Sequence, residues 1–237
     1  MRFPSGFRVP LHDHPWPQLV YAAHGVLAVT ADANTWVVPS RRAVWVPART
    51  AHTLESTGVT ALRTVYLRPD LPVLLPDQCR VIEVTKLLRE LIEEVIRLQM
   101  LIETEPRDVR LAAVLVDQIT ITDAMPLRLP MPHDPRAIRA AQWLLARPAS
   151  ADNIDEFASG SGASRRTLER LFQRETGMTI GRWRQQARLM AALKRLADGM
   201  SVTATALDVG YESASAFITM FKRTLGTTPR QYFESGN

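Results

Sequence analysis

Three histidines near the start of the chain have the type and spacing of a binding site. His12 and His14 stand two residues apart, and His52 follows later in the chain. If the first segment is a strand, both of its imidazoles lie on one face, because side chains alternate along a strand. Neutral imidazoles bind zinc, iron, nickel or copper, and they also hydrogen-bond organic ligands or one another. The spacing alone leaves both a metal site and a hydrogen-bonded pocket open.

A second group, rich in arginine, lies in the last third of the chain, where the sequence repeats. Residues 164–177 and 213–226 match at an offset of 49, and each stretch opens on serine and closes on glycine. Serine caps the start of a helix, and glycine adopts the left-handed conformation that ends one. An alanine and a glycine precede both stretches: Ala158 and Gly162 in one, Ala206 and Gly210 in the other. Each unit therefore predicts a helix-turn-helix.

The apolar positions of the first longer helix predict the face that it leaves free. Leu168, Leu171 and Phe172 are spaced to be buried together, so the opposite side is able to enter the major groove of DNA. That side consists of five polar residues: Arg165, Arg166, Glu169, Arg170 and Gln173. Because arginine donates two hydrogen bonds to guanine N7 and O6, we expect this helix to recognise bases. We expect Gln173 to meet a phosphate.

The second longer helix has a free face of a different character. It would bury Phe217, Met220 and Phe221. The opposite side consists of small or apolar residues, namely Ala214, Ser215, Ile218 and Thr219. We expect this face to contact thymine methyl groups or to dock mainly by shape. Three further cations stand where phosphate contacts are expected: Lys222, Arg223 and Arg230.

The charge distribution agrees with a polyanionic partner for the second half of the chain. Residues 1–125 contain 13 basic and 14 acidic residues, whereas residues 126–237 contain 16 and 10. A helix predicted over residues 181–198 separates the two helix-turn-helix units. At ~1.5 Å per residue it spans roughly 27 Å, which is of the order of one turn of DNA (~34 Å). Two recognition helices could thus lie on one side of a duplex.

The remaining composition excludes several classes of protein. A single cysteine, Cys79, excludes an internal disulfide and a CxxC zinc site. No apolar run reaches the ~18 residues of a membrane span, and the first residues lack the apolar core of a signal peptide. We therefore expect a cytoplasmic protein without a membrane partner.

The elements that must position these residues follow from proline, valine and helix periodicity. The first ~70 residues predict short strands and hence a small barrel or sandwich. Residues 83–102 and 107–123 predict two helices. The apolar stripe of the first consists of Leu87, Leu91, Val95, Leu98 and Ile102, with Leu88 and Ile92 beside it. The fold class is α+β, with four predicted segments. They are a ligand-sensing barrel (1–75), a helical hairpin (76–124), a stiff proline-containing linker (125–134) and an all-α domain (135–237).

Residues 135–233 resemble the DNA-binding domain of the AraC/XylS family of transcription regulators. The resemblance is based on the segment from Ser164 to Phe172, on Val209-Gly-Tyr-Glu-Ser-x-Ser-x-Phe, and on Gly226-x-x-Pro229. It implies that two helices enter adjacent segments of the major groove. It assigns base contacts by position to Arg165, Arg166, Thr167, Glu169 and Arg170, and to Ala214, Ser215, Ile218 and Thr219.

The spacing around the histidines resembles the two motifs of the cupin barrel. The string runs from Gly6 through His12 and His14 to Gln18 and Gly25, and a second motif surrounds His52. In metal-binding cupins the matching positions are ligands, so the resemblance implies a divalent transition metal held by His12, His14, Gln18 and His52. Gln18 replaces the usual carboxylate. Arginines at the pocket rim, Arg41, Arg42 and Arg49, would favour an anionic small molecule.

These features predict a sequence-specific DNA-binding transcription regulator. A small molecule or a metal in the cupin-like domain would modulate it, its partners being an operator in double-stranded DNA and an effector. The helices within 83–123 would either cover the barrel or form a homodimer. The alternative is a cupin metalloenzyme, an oxygenase or isomerase, with a helical appendage.

Overall fold

The computed structural model describes residues 2–32, 34–68, 75–122, 127–150 and 154–234, without the side chains of residues 155 and 234. The chain forms two compact units, the first made mainly of residues 1–128 and the second mainly of residues 129–235. The division falls within the predicted linker. Residues 125 and 126 of that linker lie outside the described residues.

The first unit is built on an antiparallel sheet. Its strands are β1 (Arg2–Phe3), β2 (Arg8–His12), β3 (Gln18–Ala31), β4 (Asn34–Pro39), β5 (Arg42–Val46), β6 (His52–Tyr66) and β7 (Arg80–Glu83). The two long strands β3 and β6 pair from Gln18 opposite Tyr66 to Ala31 opposite His52. Strands β1 and β2 pair with β6, and β5 lies between β3 and β7. This sheet confirms the predicted N-terminal strand domain of an α+β fold, although the two strands predicted near residues 19–21 and 26–29 form the single strand β3.

Two helices follow the sheet, as the hairpin prediction requires. They are α1 (Lys86–Leu98) and α2 (Pro106–Ile121). The predicted stripe of α1 is confirmed in part: Leu91 and Val95 are buried, whereas Leu87 and Ile102 are about half exposed. The buried face is completed by Leu88 and Ile92, which were predicted beside the stripe, and it packs against Trp45 and Ile82 of the sheet. Strand β7 also lies inside the range predicted as a helical hairpin.

The predicted linker is held by hydrogen bonds rather than acting only as a stiff connector. A short strand, β8 (Arg128–Pro130), forms there. In the first unit, the Val37 N–H donates to the carbonyl of Leu127 at 3.1 Å. In the second unit, the indole N–H of Trp183 donates to the carbonyl of Pro130 at 2.7 Å. Each unit thus anchors one end of this segment.

From Pro135 onward the second unit is helical, as predicted. Its helices are α3 (Pro135–Ala146), α4 (Ile154–Ser161), α5 (Arg165–Thr176), α6 (Ile180–Ala197), α7 (Val202–Asp208), α8 (Ala214–Leu225) and α9 (Pro229–Glu234). The pairs α4–α5 and α7–α8 are the two helix-turn-helix units. Ser164 and Ser213 cap α5 and α8, and both helices end at left-handed glycines, Gly177 and Gly226. In the described part of the chain, no helix combines the length and apolar character that a membrane span requires.

Candidate functional site

Helix α5 exposes the polar face that the sequence predicts. The Ser164 hydroxyl accepts a hydrogen bond from the Thr167 N–H at 3.2 Å and fixes the start of the helix. Leu168, Leu171 and Phe172 are at most 1% exposed and attach the other face to the core. The side chains that remain exposed are Arg165, Arg166, Glu169, Arg170 and Gln173. Thr167 is half-buried, and its hydroxyl lies 2.9 Å from that of Ser164.

The arginines of α5 differ in their local partners. Arg165 Nε donates to Glu169 Oε1 at 3.0 Å, so these two side chains hold each other along the helix. Arg166 and Arg170 make no ion pair with any described residue. They are four residues apart and therefore neighbours on the helix surface. The two guanidinium groups are thus available to an external acceptor.

Helix α8 presents a weaker set of donors, as predicted. The Ser213 hydroxyl accepts from the Ala216 N–H at 3.2 Å, and Phe217, Met220 and Phe221 are buried. On the other side Ser215 and Thr219 are exposed, whereas Ala214 and Ile218 are half-buried. The side chains predicted to meet phosphates are all exposed: Gln173, Lys222, Arg223 and Arg230. Contact of any of these residues with DNA stays a prediction.

A half-buried arginine packs beside the turn of the second helix-turn-helix unit. Arg188 of α6 donates to the carbonyls of Pro148 at 2.7 Å and Ser150 at 3.2 Å, and its guanidinium lies 6.0 Å from the centre of the Tyr211 ring. Burial lowers the pKa of Arg188 and raises that of Tyr211. The residue pattern around Arg188 predicts no role for it. The sequence feature connected with it is the glycine of the second turn, Gly210, because a side chain there would collide with Arg188.

The first unit brings the three predicted histidines together. His12 ends β2 opposite His52, which begins β6, and their ring centres lie 4.3 Å apart. His14 follows β2, and its ring centre lies 5.2 Å from that of His52. The Arg49 N–H donates to the His14 carbonyl at 2.8 Å and ties this loop to the second motif. One nitrogen of each imidazole lies within 4.8 Å of the others, which is close enough for one metal ion.

The hydrogen bonds of the three rings determine which nitrogen faces the centre of the cluster. Each Nδ1 lies 2.6–2.9 Å from a backbone carbonyl: His12 from Pro10, His14 from Trp16 and His52 from Thr50. A carbonyl only accepts, so in a neutral ring Nδ1 bears the proton and Nε2 bears the lone pair. His52 is fully buried, and no described residue hydrogen-bonds its Nε2. Burial also lowers the pKa of His52, which favours the neutral ring.

Gln18 completes this cluster as a side chain of the barrel wall. Its Oε1 lies 3.1 Å from His14 Nε2, and its amide Nε2 donates to the Tyr66 hydroxyl at 3.1 Å. Gln18 is 3% exposed. Three neutral imidazoles with backbone-bound Nδ1–H groups and one amide oxygen fit a divalent transition metal, because metal-binding histidines usually donate their other N–H in this way.

A cavity of about 660 Å³ begins at this cluster and extends towards α1. Its wall includes His12, Gln18 and Tyr66 at one end, and Arg63 with Arg97 elsewhere. The arginines predicted for the pocket rim are the wrong ones. Arg41, Arg42 and Arg49 are not part of the cavity wall, because the first and third form tight turns with φ of 63° and 58°. Arg42 is buried in β5 and pairs with Glu83 at 3.4 Å.

Known protein domains match both units of the chain. An AraC-like ligand binding domain matches residues 4–119, and a helix-turn-helix domain matches residues 157–235. The chain is 34% identical to the HTH-type transcriptional regulator NimR of Escherichia coli over 94% of this chain and 81% of NimR. It is 27% identical to the transcriptional activator RhaS of Escherichia fergusonii over 97% and 89%. A solved AraC-type regulator from Chromobacterium violaceum is 26% identical, covers 43% of this chain and 92% of its own, and superposes with a TM-score of 0.41.

Proposed function

The chain belongs to the AraC family of DNA-binding transcription regulators, and from this premise we propose which residues recognise its operator and what its first unit binds. Membership of this family favours a regulator with a ligand-binding domain over a cupin metalloenzyme, an oxygenase or isomerase. We propose that the protein acts in the cytoplasm, on the cell's own DNA, and that it is not an enzyme.

Helix α5 makes the main base contacts in this proposal. The observation behind it is the pair of exposed guanidinium groups, Arg166 and Arg170, which lie one turn apart and have no ion-pair partner among the described residues. Arg165, Thr167 and Glu169 order or extend the same face. Helix α8 contributes contacts to thymine methyl groups or to the shape of the groove through Ala214, Ser215, Ile218 and Thr219. Gln173, Lys222, Arg223 and Arg230 contact phosphates.

The test of this assignment needs an operator, which genomic footprinting of the bound sites would supply. Arg166→Ala and Arg170→Ala should each weaken operator binding by ~5- to 150-fold, corresponding to about 1–3 kcal/mol, and relax the preference at one base pair. Arg147→Ala is the matched control, because Arg147 is an exposed arginine at the end of α3 that stacks on Trp143 at 5.2 Å. Operator binding as tight as that of the unaltered protein in both α5 variants would exclude this face as the reader of bases.

The first unit binds a small-molecule effector in its cavity. A volume of about 660 Å³ is within the usual range for ligand pockets. Binding there changes DNA affinity only if the effector prefers one of two states of the protein. Operator titrations with and without a bound effector measure this coupling. Identical operator affinity and identical transcription under the two conditions would contradict the proposed coupling.

The histidine cluster holds a divalent transition metal in this proposal. His12, His14 and His52 supply imidazole nitrogens and Gln18 an amide oxygen. The ion would supply positive charge and Lewis acidity at the end of the cavity. Metal analysis of the purified protein should find one ion per chain, and His12→Ala and His52→Ala should lose it. His24→Ala is the control, since His24 is an exposed histidine outside the cluster. Equal metal content in all variants would contradict the assignment.

A homodimer formed through α1 and α2 is the remaining proposal. Apolar side chains that are half exposed or more support it: Leu87, Val109 and Ile121 are 51%, 50% and 70% exposed. Where such side chains form one contiguous apolar surface, that surface often marks a contact between proteins. Sedimentation analysis should give a dimer, and Val109→Glu with Ile121→Glu should shift it to monomer. A monomer at all concentrations would contradict this proposal.

A further inference from the structure

We infer that the effector is an organic anion with an apolar body, and that its acid group binds Arg63 beside α1. This inference rests on the proposed effector cavity and deepens it by naming the class of ligand. Its first support is the charge of the wall. The charged side chains there are Arg63, Arg97 and Glu93, so cations exceed anions by one in the described lining.

The hydrogen bonds of Arg63 leave a donor for a ligand. Its Nε donates to Glu93 Oε2 at 3.2 Å, and its Nη1 donates to the carbonyl of Leu62 at 3.4 Å. No described residue accepts a hydrogen bond from Nη2. The Arg63 side chain is 32% exposed. A partly desolvated guanidinium with a spare donor binds carboxylate more strongly than a fully hydrated one, because less water is displaced and the local dielectric constant is lower.

Arg97 adds positive charge without being the main anchor. It donates two hydrogen bonds to Glu94, at 2.7 and 2.8 Å, and its side chain is 65% exposed. Glu94 is not part of the cavity wall, so the acidic partner of Arg97 lies outside the cavity. Arg97 therefore raises the potential inside the cavity, whereas Arg63 makes the direct contact.

The rest of the wall selects an apolar body. Residues that line the cavity between the histidine cluster and α1 are mostly apolar: Phe7, Val9, Leu27, Leu54, Leu62 and Ile96. Burial of an apolar group against them favours binding, because apolar surface is removed from water. A fully polar anion such as a sugar phosphate would gain nothing from this surface. The walls therefore fit an amphipathic carboxylate rather than a sugar acid or an inorganic anion.

The experiment compares three ligands that share one apolar body and differ in charge. In a buffer that contains EDTA, the full-length protein is titrated in separate calorimetric experiments. The three ligands are 4-phenylbutyrate, 4-phenylbutanol and 4-phenylbutylamine. The anion should bind at least about tenfold more tightly than the alcohol, which in turn binds no more weakly than the amine. EDTA removes any contribution of a bound metal to the preference. No binding of any of the three, or equal binding of anion and alcohol, would overturn the inference.

Variants then identify the anchoring residue. Arg63→Gln should reduce the preference for the anion over the alcohol by about tenfold, whereas Arg63→Lys should keep most of it because the charge remains. Arg89→Gln is the matched control, since Arg89 is an arginine of α1 that pairs with Glu90 and is not part of the cavity wall. Phe7→Ala should weaken anion and alcohol equally. An unchanged anion preference in Arg63→Gln would overturn the assignment.

The outcome is independent of DNA recognition. These titrations contain no DNA, so loss of operator binding in the α5 variants would not alter them. Conversely, operator binding that depends on Arg166 and Arg170, together with a cavity that prefers the alcohol, would leave the regulator intact and exclude the anionic effector.

Discussion

At the scale of single residues, the exposed cations of the second unit are proposed to make different kinds of DNA contact. Lys222 is exposed in the last turn of α8, one turn beyond Thr219 and nearer the end of the helix than Ser215. A lysine that meets a phosphate adds affinity without sequence preference, because the phosphate is the same at every base pair.

We therefore expect Lys222→Ala to weaken operator and unrelated DNA by the same factor. The dependence of log K on log salt should fall by about one, because one fewer counterion is released. Fluorescence anisotropy over a series of KCl concentrations measures both quantities. Arg166→Ala serves as the contrast, because that substitution should reduce the preference for one base pair of the operator. A loss confined to the operator for Lys222→Ala would place that side chain against a base.

The turn glycines give a second prediction at this scale. Gly162 and Gly210 occupy equivalent places, with φ of 74° and 84°, but their surroundings differ. A Cβ on Gly210 would lie 2.6 Å from Arg188 Nη2 and 2.8 Å from Ala149 Cα, whereas one on Gly162 would lie 3.5 Å from its nearest neighbour, Arg139 Nη2. Gly162→Ala should therefore cost about 1–2 kcal/mol for the left-handed backbone alone.

Gly210→Ala should cost more than Gly162→Ala, because the backbone of Ala149 cannot move aside as a flexible side chain can. Urea unfolding of the two variants measures the difference in free energy. Equal costs would mean that the loop containing Ala149 adjusts freely, and the packing of Arg188 against Ser150 and Tyr211 would then not constrain this turn.

At the scale of elements, one carboxylate connects the end of α5 to the start of α3. Glu175 accepts hydrogen bonds from the N–H groups of His133 and Asp134 at 2.8 and 2.9 Å. These bonds favour the ionised carboxylate and lower the pKa of Glu175, with Arg174 contributing in the same direction. Because the pKa is lower in the folded protein than in the unfolded chain, this stabilisation is present above the usual pKa and is lost as the pH falls.

Glu175→Gln should consequently lower the free energy of unfolding by about 1 kcal/mol at pH 7, with a smaller difference near pH 3. Urea unfolding at the two pH values measures it. Glu169→Gln is the control, because Glu169 is exposed and bonds only along its own helix, to Arg165. The same loss at both pH values would show that the shape of the side chain, and not its charge, holds α3 in place.

The helices of the second unit could be predicted from sequence, but several strands of the first could not. Serine caps, terminal glycines and i, i+3, i+4 spacing are local signals, so α5 and α8 appear in the sequence with their correct faces. Strand β7 has four residues and pairs with β5, far away in sequence. A segment that short has no periodicity of its own, and only its partner determines that it is a strand.

The candidate sites also contain a part that could be predicted from the sequence and a part that could not. The exposed face of α5 was predictable because buried Leu168 and Phe172 fix the opposite side. The histidine cluster was predictable from motif spacing. The cationic wall was not, because Arg63 and Arg97 come from a strand and a helix whose apposition depends on the fold. Arginines close to the motif, such as Arg49, were the nearest candidates in sequence but not in space.

At the scale of the whole molecule, the chain separates into two compact units with different charge. Residues 126–237 contain six more basic than acidic residues, and residues 1–125 contain one fewer basic than acidic. The side chains proposed to read bases, the caps and the core that supports them all lie in the second unit. Sequence preference should therefore be a property of that unit alone, and effector response a property that needs the first.

A fragment of residues 127–237 should thus be helical by circular dichroism and should prefer the same base pairs as the full chain, with the same dependence on Arg166. It should not respond to 4-phenylbutyrate. Its affinity for an operator with two half-sites should be ~10²- to 10⁴-fold lower if the full chain is a dimer, because linked binding raises the effective concentration at the second half-site. Equal affinity would argue for a monomer, whereas a folded fragment without base preference would require residues of the first unit at the DNA.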